Sequence, residues 1–273
     1  MNNSCICAPV HQPKFNWGRQ FVASYNKYFD DDHIFLVFSN QKEADIFKQE
    51  NNSLAYRSII FDGPEYVGPT INNPTITLKK WYGLNTIYKT TDMKYVGVVD
   101  TDSCFIAGKN YAELFDNYYT NKTIYGHYTK AEFVTKMYKG FTIPFTEEQQ
   151  RGIDKIALNE KGVLYFWFND IPVYERNDFR DFQESMNKDA KIYFHTFDYM
   201  SYGYFLLLSN KFKLYNFEDA VEVMSSIGEG AKDEKYFKIF QPMWLRKTLS
   251  LTDEVALKNV FMHFHLDRVP VKK

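Results

Sequence analysis

Four short apolar runs within the first hundred residues constrain this chain most. They are SCICAPV (4–10), HIFLVFS (33–39), LAYRSIIFD (54–62) and YVGVV (95–99), and helix-like segments separate them. NWGRQFVASYNKYF (16–29) sets Trp17, Phe21, Tyr25 and Phe29 at spacings of four, one helical face, with Asn16 as its cap. QKEADIFKQE (41–50) is charged and helical, and TLKKWYGLNTIYK (77–89) reads as a helix that Gly83 weakens. Strands alternating with helices predict an α/β fold, with a mainly parallel sheet covered on both faces. Ligands of such sheets bind beyond the carboxyl ends of the strands.

The second half is more mixed. NYAELFDNYY (110–119), FTEEQQRGIDKIAL (145–158), DFRDFQESMNK (178–188) and DYMSYGYFLLLS (198–209) read as helices, and GVLYFWF (162–168) and KFKLYNF (211–217) as strands. No repeat, linker or low-complexity tract interrupts them, so one domain over 1–273 is expected, with an elaborated C-terminal half.

Net charge is −1, from 33 basic and 34 acidic residues, which argues against a duplex nucleic acid as partner. The N-terminus, MNNSCICAPVHQPKF, lacks the charged-then-apolar pattern of a signal peptide. Apolar runs such as YFLLL (204–208) fall far short of the ~20 residues of a membrane span. Three cysteines, Cys5, Cys7 and Cys104, fit a reducing cytoplasm without a disulfide framework, with Cys5 and Cys7 as small buried hydrophobes. The 25 Phe, 21 Tyr and 4 Trp would serve a sugar site as ring platforms, and would equally fill a core.

The fourth apolar run ends in Asp100, Thr101 and Asp102. If the backbone stays extended, the two carboxylates project from the same face. At roughly 5 Å and an effective dielectric of about 20 they repel by on the order of 3 kcal/mol. Protonation of one acid, helix N-terminal amides, or a divalent cation would offset that. Oxygen ligands suit Mg²⁺ or Mn²⁺, which complete their shells with water and phosphate. The plain alternative is that the acids cap the next turn.

With three β/α units, an Asp-x-Asp near residue 100 and a mixed second half, the chain resembles the GT-A fold glycosyltransferases. DTD (100–102) is the sharp match, and the layout covers most of the chain. The resemblance implies a nucleotide-sugar-binding half over 1–108, an acceptor half over 109–273, and a donor diphosphate bound through a metal at Asp100, Thr101 and Asp102. In HTFDYMSYGYFLLL it implies Asp198 as general base of an inverting enzyme, with Glu218 or Asp219 of FED (217–219) as competitors. The plain alternative for Asp198 is a helix N-cap. In FMHFHLDR (261–268) it implies a metal-closing histidine, His263 or His265, with Arg268 near phosphate; a lone histidine is more often structural.

A nucleotide lying across the strand ends would meet Pro9, Val10 and His11 after the first strand, and Ser39 and Asn40 after the second. Lys79 and Lys80 would offset diphosphate charge, unless they are ordinary solvated lysines. Neither Gly-x-Gly-x-x-Gly after the first strand nor a Walker A sequence is present. Phe166, Trp167 and Phe168 are candidates for an acceptor platform. The implied donor is a UDP-sugar and the acceptor a glycan or lipid-linked glycan of polysaccharide biosynthesis. RVPVKK at the C-terminus would allow peripheral contact with the inner membrane face.

Two other classes compete. Haloacid dehalogenase-like phosphatases also end a strand in Asp-x-Asp, which would make Asp100 the nucleophile and Asp102 an acid/base. Their motif normally lies on the first strand and carries Thr or Val where this chain has Cys104. A carbohydrate-binding relative without turnover is the third class.

Overall fold

A computed structural model describes residues 3–63, 73–108, 110–166, 172–193 and 196–216, with 244–245 and 262–263. The first hundred residues run β1 (Ser4–Pro9), α1 (Phe15–Tyr28), β2 (Ile34–Phe38), α2 (Gln41–Glu50), β3 (Arg57–Ile60), α3 (Thr75–Thr90) and β4 (Tyr95–Val98). Each lies where the apolar runs and helical spacings place it. All residues of β1, β2 and β4 are buried, as expected of strands covered on both faces.

The remainder runs β5 (Cys104–Phe105), α4 (Tyr111–Asn121), β6 (Thr123–Thr129), α5 (Glu132–Thr142), α6 (Glu147–Ala157), β7 (Leu158–Asn159) and β8 (Gly162–Tyr165). It continues with β9 (Val173–Glu175), α7 (Arg176–Ser185), α8 (Asp198–Leu208), β10 (Lys213–Asn216), β11 (Trp244–Leu245) and β12 (Met262–His263). Elements α5, β5, β6, β7, β9, β11 and β12 are absent from the sequence reading.

The main sheet has the order β3-β2-β1-β4-β9. Its first four strands are parallel, with Cys7 opposite Phe35 on one side and Val98 on the other. Strand β9 adds an antiparallel edge, pairing Tyr95 with Glu175. The chain steps outward from β1 to β3, then returns past β1 to β4. The carboxyl ends of β1 and β4 therefore flank the switch point, where a crevice opens in sheets of this kind. Among the described residues, two smaller sheets have the orders β10-β6-β8-β7 and β11-β12-β5.

Helix α3 approaches β1 and β2 closely because of Gly83. A Cβ there would lie 2.7 Å from Val37 Cγ2 and 2.8 Å from Cys7 Sγ. The residue that weakens the helix by propensity is the one that lets it seat on the sheet.

A candidate active site at the carboxyl edge of β1 and β4

The β4 ladder ends at Val98, and Val99 N donates to Cys7 O at 3.0 Å. Asp100 follows, and the backbone bends over Thr101 and Asp102. The extended geometry that would make the two carboxylates converge thus stops short of Asp102. Their environments differ: the Asp100 side chain is 42% exposed, whereas Asp102 is buried, as are Thr101 and Ser103.

Helix α3 brings Lys80 to this edge. Its Nζ lies 3.2 Å from Asp100 Oδ1 and 3.5 Å from Asp198 Oδ1. Asp198 begins α8 and is buried. Its second oxygen, Oδ2, accepts from the Tyr174 hydroxyl on β9 at 2.6 Å. A line of contacts therefore runs inward from Asp100 at the rim through Lys80 and Asp198 to Tyr174. Asp198 does not cap its helix: the N-cap is Phe197, whose φ of 35° and ψ of 94° are unusual for a bulky side chain. Such a conformation costs on the order of 1–3 kcal/mol and persists where its surroundings fix it. Here it immediately precedes the acid of the cluster.

The electrostatics follow from burial and pairing. Burial pulls the Lys80 ammonium toward neutrality, but the Asp100 and Asp198 carboxylates outweigh it and hold its pKa above the usual lysine value. Burial, then Asp198, pushes the Tyr174 hydroxyl well up, so it stays a donor. Cys7 is a free buried thiol near this group, raised to about 12 chiefly by burial. Neither lysine is an ordinary solvated one.

Lys79, one residue earlier, turns to the other strand ends. Its ammonium donates to Val10 O and, at 3.2 Å, to Ser39 Oγ. Burial lowers its pKa to about 8, with Glu43 pulling the other way. Val10 O and Ser39 Oγ thus both accept from a buried lysine. Asn40 is the N-cap of α2, its Oδ1 accepting from Glu43 N at 2.9 Å. Pro9 closes β1, and His11 sits exposed at the N-cap of a short 3₁₀ turn, within electrostatic reach of Lys79 and Asp100.

Among the described residues, no three His, Cys, Asp or Glu side chains converge as a ready metal cage. One observation fits a cation at Asp100 nonetheless: an ammonium already stands against its Oδ1. Strand β12 pairs with β5 in a register that sets the backbone of His263 opposite Cys104. Phe166 is buried in the core. Trp167, Phe168, Glu218, Asp219, His265, Arg268 and the RVPVKK segment lie outside the described residues, as does the His263 side chain. No helix among the described residues is long and apolar enough to cross a membrane.

The sequence reading missed Tyr174 and the pairing of Lys80 with both acids. Tyr174 stands in the short VYE stretch after Pro172, which carries no spacing signal. The Lys-Lys step in a helix otherwise rich in apolar residues was the available sign for Lys80, since a charge on a buried face demands a partner.

No protein-family model and no curated protein match this chain. Among solved structures it is similar to S. aureus TarS 1–349, with a TM-score of 0.38 and 11% identity over 79% of this chain and 58% of that one. It is similar to a second S. aureus TarS chain, at a TM-score of 0.38 and 9% identity over 79% of this chain and 35% of that one. It is also similar to core-mannan synthase A of Aspergillus fumigatus in its Mn/GDP form, at 0.38 and 10% over 80% and 73%. The chain thus spans 58% and 35% of the two TarS chains.

Proposed function

We propose that the chain is a GT-A-like, metal-dependent glycosyltransferase that moves a sugar from a nucleotide-sugar, a UDP-sugar by preference, to a glycan or lipid-linked acceptor with inversion. One observation carries this reading. Asp100 and Asp198, distant in sequence, meet on a single buried ammonium at the switch point of the sheet. Asp100 and Asp102 would hold the metal, with His263 or His265 completing its shell. Bound there, a divalent ion supplies neutralisation of the charge that grows on the departing nucleoside diphosphate.

The protein groups then have distinct tasks. Val10, Ser39 and Lys79 form the edge for base and ribose, with Pro9, His11 and Asn40 around it. Asp198 receives the acceptor hydroxyl proton while the acceptor oxygen bonds to the anomeric carbon. The anomeric carbon–phosphate oxygen bond breaks on the opposite face, and its electron pair leaves with the diphosphate. Tyr174 fixes one oxygen of Asp198, leaving Oδ1 as the proton acceptor once Lys80 moves off it.

Thermal unfolding with UDP and Mn²⁺ tests the reading. At about one hundred times the dissociation constant, a ligand of the folded state adds roughly 2.7 kcal/mol of stability. UDP with Mn²⁺ should therefore raise the melting temperature beyond either alone, and Asp102→Ala should abolish the synergy. Asp198→Asn should keep UDP binding while turnover falls by about 10²–10⁴-fold. Hydrolysis of simple phosphate esters without any response to UDP would identify a phosphatase instead. Binding of glycans without turnover of any nucleotide-sugar would identify a carbohydrate-binding relative.

A further inference from the structure

We infer that Lys80 is a resident counter-ion that masks both acids until the donor arrives, and that the donor's diphosphate draws it off. The inference deepens the transferase reading and rests on it. Its basis is that one ammonium engages the two carboxylates with opposite tasks. It faces Asp100 Oδ1, which the metal would need, and Asp198 Oδ1, which the acceptor proton would need. Tyr174 already holds the other oxygen of Asp198. With Lys80 in this position neither acid is fully available.

The charge balance sets the order of events. Lys80 occupies the Asp100 oxygen that would hold a divalent ion, and two cations on one oxygen would repel. A nucleoside diphosphate arriving with the ion brings anionic oxygens that take the ammonium over. Asp100 would then be free to hold the metal, and the same displacement of Lys80 would uncover Asp198 Oδ1. Lys80 is buried on a helix that Gly83 seats closely on the sheet, so the exchange is assigned to its side chain and not to the helix. The consequence is that metal affinity depends on nucleotide, and that this coupling passes through one side chain. Lys80 is thus a positioning residue for Asp198 as well as a gate for the metal.

The test is Mn²⁺ binding to the nucleotide-free full chain, followed by electron paramagnetic resonance or calorimetry. Lys80→Gln should bind Mn²⁺ alone about tenfold more tightly than the wild type, within the usual range of coupling between sites. The same variant should bind UDP–Mn²⁺ more weakly. A merely structural role for Lys80 gives no gain in metal affinity. Unchanged or weaker Mn²⁺ binding by folded Lys80→Gln overturns the inference.

Circular dichroism checks folding. Should Lys80→Gln not fold, Asp198→Asn decides the matter. It leaves the full charge of Lys80 on Asp100, so Mn²⁺ alone should bind several-fold more weakly, and unchanged or tighter binding overturns the proposal. Failure of the transferase reading is distinguishable: there, UDP with Mn²⁺ would not stabilise the wild-type protein at all.

Discussion

Lys79 and Lys80 are neighbours on one helix, yet burial acts on them with opposite outcomes. Lys80 has two carboxylates and keeps its proton, whereas Lys79 has a carbonyl, a hydroxyl and the distant Glu43, and its pKa drops to about 8. An unfolded lysine titrates near 10.5. Between those values the unfolded chain holds the proton that the folded chain has lost, so stability rises with pH across that window. Below the folded value both states are protonated and the full burial cost remains. The wild type should therefore gain on Lys79→Met by up to about 3 kcal/mol between pH ~7.5 and ~10.5. Other groups titrate alike in both proteins and cancel from the difference. Urea unfolding of the pair across that range measures it, and a flat difference would show that Lys79 is not buried as a cation. No spacing rule separates these two lysines in the sequence. Their difference comes from Asp100 and then Asp198, the second of which folding brings to the same place from the other half of the chain.

At the level of elements, α3 does most to place the site, and Gly83 does most to place α3. Alanine is the better helix former by about 1 kcal/mol. Its methyl would, however, press on Val37 and Cys7, both fully buried, and overpacking of this kind costs roughly 1–3 kcal/mol. Gly83→Ala should therefore lower the urea midpoint, and it should also weaken UDP–Mn²⁺ binding by lifting Lys80 from Asp100. A variant more stable than the wild type would mean that α3 does not depend on this close approach. The first four strands and three helices were legible because each repeats its pattern over a full element. Strand β9 was not, because Val173–Glu175 has three residues, one of them the acid that caps α7. In β6, Gly126 and His127 break the apolar alternation, although both are buried. For the acids, sequence could mark Asp100, Asp102 and Asp198. It could not show the bend over Thr101 and Asp102 that sends the first two into different surroundings.

For the whole molecule, Lys80 and Asp100 of the candidate site come from the first hundred residues and Asp198 from much later in the chain, and Arg176 is one of the ties between these parts. It follows β9, and its backbone N–H donates to Lys94 O at 3.0 Å. Its guanidinium donates to Met93 O from Nε at 3.0 Å, to Thr91 O at 2.6 Å, and to Tyr88 O. Those carbonyls lie at the end of α3 and in the turn into β4, where a helix leaves acceptors unsatisfied and favours a cation. One side chain from the second half thus ties down the segment linking the helix of Lys80 to the strand that leads into Asp100. The strand preceding Arg176 carries Tyr174, which holds Asp198. Charged hydrogen bonds are worth about 1.5–3 kcal/mol each, and buried acceptors left without a donor add to the loss. Arg176→Gln should therefore destabilise the protein by about 3 kcal/mol or more by urea unfolding. Whatever fraction stays folded should show a smaller UDP–Mn²⁺ stabilisation, because Lys80, Asp100 and Asp198 lose their common frame. A fragment ending at residue 108 lacks Arg176, Tyr174 and Asp198 together, and should show no UDP–Mn²⁺ synergy under the same conditions. If that fragment melted cooperatively and responded to UDP with Mn²⁺ as the full chain does, the donor site would belong to the first half alone, and the convergence on Lys80 would have no part in forming it.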